Sequence, residues 1–408
     1  MLEEVKARLE KARAAENKKA AVGDDVDLTK YQSQPTQKPK HVATSSIPAE
    51  DRTKILATGV MLDDVSQRSG TYVQIDNAPM HQAVSQEGIE VMATSQALTK
   101  YAWLKDYYWK AVAVDADKYT AHVEMHNADG YFMRALPGVK SVYPVQACLY
   151  LARGNSIQDV HNIIIAEEGS ELHIITGCST AGHEPGLHLG ISEFYIKKGA
   201  KVTFTMIHSW SHVTEARPRT GAIIEENGLF LSNYVIMRPV KSIQLYPSAR
   251  CVGENATVRF NNILVATPDS KIDAGSKAFL NARGAKTEMV ARTISTGGDI
   301  ISRGYIEANE PDTKGHLECR GLILGNRGTI HAIPEIKGTR AGVDLSHEAA
   351  VGKIAEEEVE YLMARGLTRD EATAAIIRGF LKVDIQGLPD MLNEEMRKAV
   401  KASEKELF

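Results

Sequence analysis

Four cysteines, Cys148, Cys178, Cys251 and Cys319, are scattered through 408 residues, with no C-x-x-C among them. That spacing excludes a zinc ribbon and a ferredoxin-type run, in which neighbouring thiolates arrive pre-arranged around the metal. It also excludes the dense disulfide framework of a small exported protein. A thiolate is still a sulfur nucleophile and a soft metal ligand, although a cysteine in a strand is more often an inert apolar side chain. Two of the four have polar company. Thr176-Gly177-Cys178-Ser179-Thr180 closes an apolar run, and His316-Leu317-Glu318-Cys319-Arg320-Gly321 precedes Leu345-Ser346-His347-Glu348-Ala349. Read alone, Ser-His-Glu is a helix cap with a carboxylate favourably placed near a helix N-terminus. Two histidine pairs, His122/His126 and His208/His212, would share one face of a strand. Neither has a carboxylate or thiol at ligand spacing, so structural histidines are the simpler reading.

Other chemistries are excluded by what the chain lacks. It contains no G-x-x-x-x-G-K-[ST] phosphate loop, no G-x-S-x-G elbow and no H-E-x-x-H zinc helix. A net charge of -4, with both signs interspersed, offers no basic surface for nucleic acid. No apolar run approaches the roughly 20 residues of a membrane-spanning helix. Met1 to Ala20 is charged throughout and lacks the apolar stretch of a signal peptide, so a cytoplasmic location is expected.

The elements that must position these residues change character along the chain. Leu2, Val5, Leu9 and Ala12 predict a helix over residues 2–20, either a solvated arm or a docking helix. A Pro-, Gln- and Ser-rich linker follows near 22–48, and the helix richest in signal lies over Ser95–Val114. This N-terminal helical and mixed region spans 1–136. Over 137–345 short β-branched runs alternate with turn signals. Gly or Asn recurs at 169, 199, 228, 255 and 284, in steps of 30, 29, 27 and 29. Each is followed by a period-2 apolar run such as Val202-Phe204-Met206. So constant a step favours stacked coils of strand, a parallel β-helix, over a β-sandwich with its shorter and less regular turn spacing. Residues 346–408 read as a helical unit. It has an apolar stripe over Glu348–Arg365 stopped by Gly366, a Thr368-x-x-Glu371 capping box with Gly379 closing that helix, and a last helix begun by Pro389.

Cys319-Arg-Gly-Leu-Ile-Leu-Gly-Asn, Pro334-Glu335-Ile336 and His347-Glu348-Ala349-Ala350-Val351-Gly352-Lys353-Ile354 resemble, in order and spacing, the signature of the SufB/SufD family of iron–sulfur cluster assembly proteins. Tyr361 to Leu367, Ile376 to Phe380 and Gly177-Cys178-Ser179 extend the likeness, which covers about Ser156 to Phe380. The resemblance implies a right-handed parallel β-helix between helical ends. Cys319 and the His347-Glu348 pair place the chain on the SufB side; SufD typically lacks that cysteine. A shorter N-terminus and Ser346 in place of an acidic residue make it similar to a compact archaeal form. By resemblance, the chain would be a scaffold working as a homodimer through the end of the β-helix. Its partners would be a SufC-type ABC ATPase on the C-terminal helices, a sulfur donor and apo-protein recipients. Cys178 would receive sulfur and Cys319 would accept it, along a route lined by His208, Trp210 and Lys201. Cys319, Glu348 and His347 would bind the nascent cluster, with Glu348 kept ionised at a helix N-terminus. Some complexes of the family bind reduced flavin; no flavin motif is recognisable here. A SufD-like structural subunit and a cytoplasmic β-helix enzyme are the alternatives.

Overall fold

The computed structural model describes residues 2–38, 47–62, 67–182, 184–324 and 326–381. Its strands are, in chain order, β1 (Gln32–Ser33), β2 (Gly70–Ile75), β3 (Ala78–Val84), β4 (Ile89–Ala93), β5 (Tyr131–Ala135), β6 (Val145–Leu151), β7 (Ser156–Ala166), β8 (Glu171–Thr180), β9 (Gly186–Ile196), β10 (Lys201–Ser209) and β11 (Thr214–Ala216). They continue as β12 (Arg219–Ile224), β13 (Leu229–Ile236), β14 (Ser242–Leu245), β15 (Ser248–Cys251), β16 (Thr257–Ala266), β17 (Lys271–Leu280), β18 (Lys286–Ser295), β19 (Asp299–Ala308), β20 (Lys314–Ile323), β21 (Thr329–Gly338) and β22 (Asp344–Gly352). The helices are α1 (Leu2–Ala14), α2 (Ala49–Leu56), α3 (Thr94–Lys100), α4 (Lys118–Met125), α5 (Glu356–Met363) and α6 (Arg369–Leu381).

The strands form two sheets facing each other across a single apolar interior. One runs β22-β20-β18-β16-β13-β10-β8-β6-β2-β3, and the other carries β4, β5, β7, β9, β17, β19 and β21 with the short strands between them. Pairing is parallel from β6 to β22, which makes a solenoid of about 8 turns. One corner of each coil is set by a left-handed residue: Gly169, Gly199, Asn227, Asn255, Gly284, Asp312 and Gly342 all have positive φ. These are the residue types that accept that backbone without a Cβ clash or with a compensating local hydrogen bond. The third corner is Asn227, not Gly228, so the steps become 30, 28, 28, 29, 28 and 30. Leu172, Ile174, Val202, Phe204, Phe230, Val258, Phe260 and Leu317 point inward in columns and are almost fully buried. Arg217-Pro218 and Tyr246-Pro247 split what would be continuous strands into β11/β12 on β9 and β14/β15 on β17. Proline cannot donate to the ladder, so the two sit at breaks.

Helices cover the outer faces. α1 docks on α4 through Ala12, and Arg8 Nε donates to Glu124 Oε1 at 2.6 Å. The described part of the expected linker is also seated. β1 pairs with β7, and Val26 N donates to the Tyr119 hydroxyl at 2.9 Å. Ser95–Val114 is not one helix. α3 ends at Lys100, a 3₁₀ turn spans Ala102–Asp106, and Trp109 takes positive φ. The backbone N–H groups of Trp109, Ala111 and Val112 are satisfied by the buried Glu193 carboxylate instead of by helix carbonyls.

At the other end, α6 lays Ala374, Ile377 and Leu381 on Ile175, Ile207, Val235, Ile263 and Ile294 of the ten-stranded sheet. Thr368 N donates to Glu371 Oε2 at 2.8 Å, and Glu371 N to Thr368 Oγ1 at 3.3 Å, the expected capping box. The helix runs through Gly379 to Leu381. The helix expected from Glu348 does not form. Residues 344–352 are the last strand, in register on β20, and helix begins only at Glu356. The helix expected from Pro389 lies outside the described residues. No described helix is long and apolar enough to cross a membrane.

Candidate functional site

Side chains alternate along each strand, so register decides which candidates can meet. Cys319 pairs with Ala291 on β18 and Ala349 on β22, and it points into the interior with only 4% of its surface exposed. His347 pairs with Leu317 and therefore shares the inward face of Cys319, but on the outermost strand, where it is exposed. Glu348 pairs with Glu318 and faces outward. Within one chain the fold thus brings Cys319 and His347 to one face and leaves Glu348 on the other. Glu348 is not at a helix N-terminus. Its carboxylate accepts from Arg320 Nη2 at 3.1 Å, and Arg320 and Arg292 both pair with Glu318, at 2.5 and 2.9 Å. This outward charge ladder was missed in the sequence, yet Arg292/Arg320 and Glu318/Glu348 recur at the coil period.

The environment of Cys319 is that of a guarded thiol. Ser302 on β19 donates its hydroxyl toward Sγ at 3.7 Å, and no sequence signal singles Ser302 out. Burial pushes the Cys319 thiol up; the Ser302 hydrogen bond and the Arg292 charge oppose that rise, and Glu318 adds to it. The resting group is therefore the protonated thiol, and exposure is what would activate it.

Cys178 lies on β8, fully buried, with Sγ 3.4 Å from Met206 Sδ. Burial holds its thiol well above the ordinary range, with nearby Cys148 a second cause. A Cβ at the preceding Gly177 would lie 1.9 Å from Thr58 Oγ1, so any other residue there would have to displace the buried Thr58. An interior cavity opens beside Met206. His188, His208, Tyr234, Phe260 and Asn262 line it. His208 Nδ1 accepts from Trp210 Nε1 at 2.7 Å, and burial keeps both His188 and His208 neutral, His188 with its pKa lowered to about 3. His208 and Trp210 are buried, whereas Lys201 is exposed at the start of β10. The cavity ends at β16. From there to β20 are two strand spacings, about 10 Å, filled by Met289, Ala291 and Leu317.

The histidine pairs resolve differently from each other. His122 lies on α4 and His126 caps its C-terminus, neither on a strand, with rings stacked at 3.9 Å, and β7 brings Asp159 to them. His212 follows the end of β10 and shares no face with His208.

Comparison with known proteins adds a decisive match. Residues 150–380 match the family described as SUF system FeS cluster assembly, SufBD core domain. This chain belongs to the SufBD family. An iron-sulfur cluster assembly SufBD family protein of Methanothermobacter thermautotrophicus is 47% identical over 402 residues, covering 97% of this chain and 98% of the relative. One from Archaeoglobus fulgidus is 49% identical over 358 residues, 88% and 96% of the two chains. One from Pyrococcus horikoshii is 31% identical over 351 residues, 83% and 78% of the two chains. The Methanothermobacter relative shares nearly the whole chain, including the N-terminal region outside the core match.

Proposed function

We propose that this SufBD protein is a SufB-type cytoplasmic scaffold that builds iron–sulfur clusters at the open end of its solenoid, in a dimer with a second copy of itself. The observation that carries the reading is the position of Cys319: an inward-facing, hydrogen-bonded thiol on the penultimate strand of its sheet, one strand from an edge bearing His347. Among the described residues β21 and β22 each have a strand partner on one side only, and Ile336 and Val351 are exposed there. An unpaired edge with apolar side chains favours strand addition by a second copy. Glu348 would reach a cluster from the partner copy, or after Arg320 releases it.

Sulfur enters at Cys178. Its thiolate attacks the terminal sulfur of a donor persulfide, releasing the donor thiolate, and Cys319 receives that sulfur by the same exchange. Cys319, His347 and Glu348 then hold iron through one soft and two harder ligands, a set that can release its cargo. The Met289–Leu317 packing between the cavity and Cys319 has to move for transfer, which calls for a gate. A SufC-type ABC ATPase on α5 and α6 supplies it, and the exposed Tyr361, Met363 and Leu367 support a partner on that face.

Anaerobic reconstitution with iron, a sulfur donor and the ATPase tests the assignment. Wild type is expected to develop the absorbance and Mössbauer signature of a cluster, and Cys319→Ala to lose it. Glu348→Ala is expected to lower the yield. A Cys319→Ala protein that assembles clusters at the wild-type rate would overturn the assignment of Cys319, and a wild-type chain that builds no cluster under any condition would leave the SufD-like structural reading standing.

A further inference from the structure

The geometry points to a separate binding site for one divalent first-row transition-metal ion at His122, His126 and Asp159, where α4 crosses the outer face of β7. One donor atom from each residue can be chosen so that all three lie within 4.8 Å of one another. The tautomers suit a cation. His126 Nδ1 sits 2.9 Å from the His122 carbonyl, to which only its protonated form can donate, so His126 Nε2 keeps its lone pair. A backbone carbonyl on the far nitrogen is how ligating imidazoles are commonly oriented. His122 has Asp159 Oδ1 2.9 Å from Nδ1 and Ser33 Oγ 3.0 Å from Nε2.

Asp159 supplies the independent evidence. It is fully buried, and its Oδ2 has no hydrogen-bond partner among the described residues. A buried carboxylate oxygen left unpaired is costly, and a cation is what would satisfy it. Two stacked imidazoles and the carboxylate beside them can all be ligands of one ion. Two nitrogens and one oxygen are a donor set for Zn²⁺, Co²⁺ or Fe²⁺, with a fourth position open to solvent or to the Ser33 hydroxyl. The segment bearing Ser33 lies over the site, and Thr36 Oγ1 donates to the His126 carbonyl at 3.2 Å. A bound ion would clip that strap, α4 and the solenoid wall together. The site shares no residue with the Cys319 end and does not rest on the scaffold reading.

Co²⁺ titration of the metal-free full-length chain in a Cys319→Ala background, followed by visible absorbance, tests the proposal. One equivalent should bind, with d–d bands and without the intense near-ultraviolet band of a cobalt–thiolate bond. His126→Gln and Asp159→Asn should each weaken binding by about 10-fold or more, with far-ultraviolet circular dichroism unchanged. Hydrogen exchange of residues 32–37 with and without Zn²⁺ gives a readout in the wild-type chain that needs no variant, and slower exchange with metal is expected. Absence of a stoichiometric complex, a thiolate band, unchanged affinity in His126→Gln, or exchange indifferent to Zn²⁺ would overturn it.

Discussion

At the scale of single residues, the buried histidines beside the interior cavity are neutral, and that makes the protein sensitive to acid. His188 is 1% exposed and its pKa is lowered to about 3 from 6.5 because burial disfavours the imidazolium. Between those values the unfolded chain binds a proton that the folded chain refuses. Stability is therefore complete above pH 6.5 and falls as pH drops below it, by about 1.4 kcal/mol per pH unit for this one group. His208 adds a loss of the same sign. Urea midpoints measured from pH 7.5 to 4.5 should fall more steeply for wild type than for His188→Gln. Parallel curves would mean that water reaches this histidine in the folded protein. Cys178 and Cys319 follow the same physics with the opposite charge: burial keeps both as thiols, so reactivity at either has to be conferred by movement.

At the scale of elements, the coil corners and the docked helix carry separable free energies. Asn255 holds a corner at φ 57°. Asn255→Ala should cost about 1 kcal/mol, since a Cβ without a hydrogen-bonding head is strained in the left-handed region. Asn255→Gly should be near neutral, and thermal unfolding of the pair checks the contrast. Ile377 is fully buried between α6 and the sheet. Ile377→Ala should weaken that docking by about 2–4 kcal/mol. Hydrogen exchange should report it as faster opening of α6 alone, with β16 and β18 as protected as before. These elements differ in how well the sequence announces them. The corners up to Gly284 were legible because Gly or Asn recurs at a near-constant step, whereas Asp312 and Gly342 were not singled out. The last strand was not: Val351, Ile354 and Val359 happen to fit helical spacing, and what makes 344–352 a strand is the waiting edge of β20, a non-local cause. The separation of Glu348 from Cys319 follows from the same register and could not be read from a motif in which His and Glu are adjacent. The Asp159 contribution was hidden for a related reason, since it comes from β7 while the histidines belong to α4 and its C-cap.

At the scale of the whole molecule, the two ends of the stack are unlike. The N-terminal end carries the antiparallel pairs β2–β3 and β4–β5, whereas among the described residues β21 and β22 have one strand partner each. Pairing of two copies through that edge predicts a dimer. Ile336→Lys places a charge on the 41% exposed side chain near the C-terminal end of β21. It should shift sedimentation velocity from dimer to monomer while leaving circular dichroism intact. A dimer that survives the substitution would have to be built on another face.

A coiled stack behaves as a one-dimensional lattice with a free boundary, in which each layer is held by its neighbours and the final layer by only one. Thermal fraying in such a lattice starts at the free boundary and reaches inward a layer at a time. Cys319 sits one layer in. Its accessibility is then governed by the rate at which a single terminal layer peels and re-seats, a far smaller event than unfolding, and any protein that grips the last layers sets that rate.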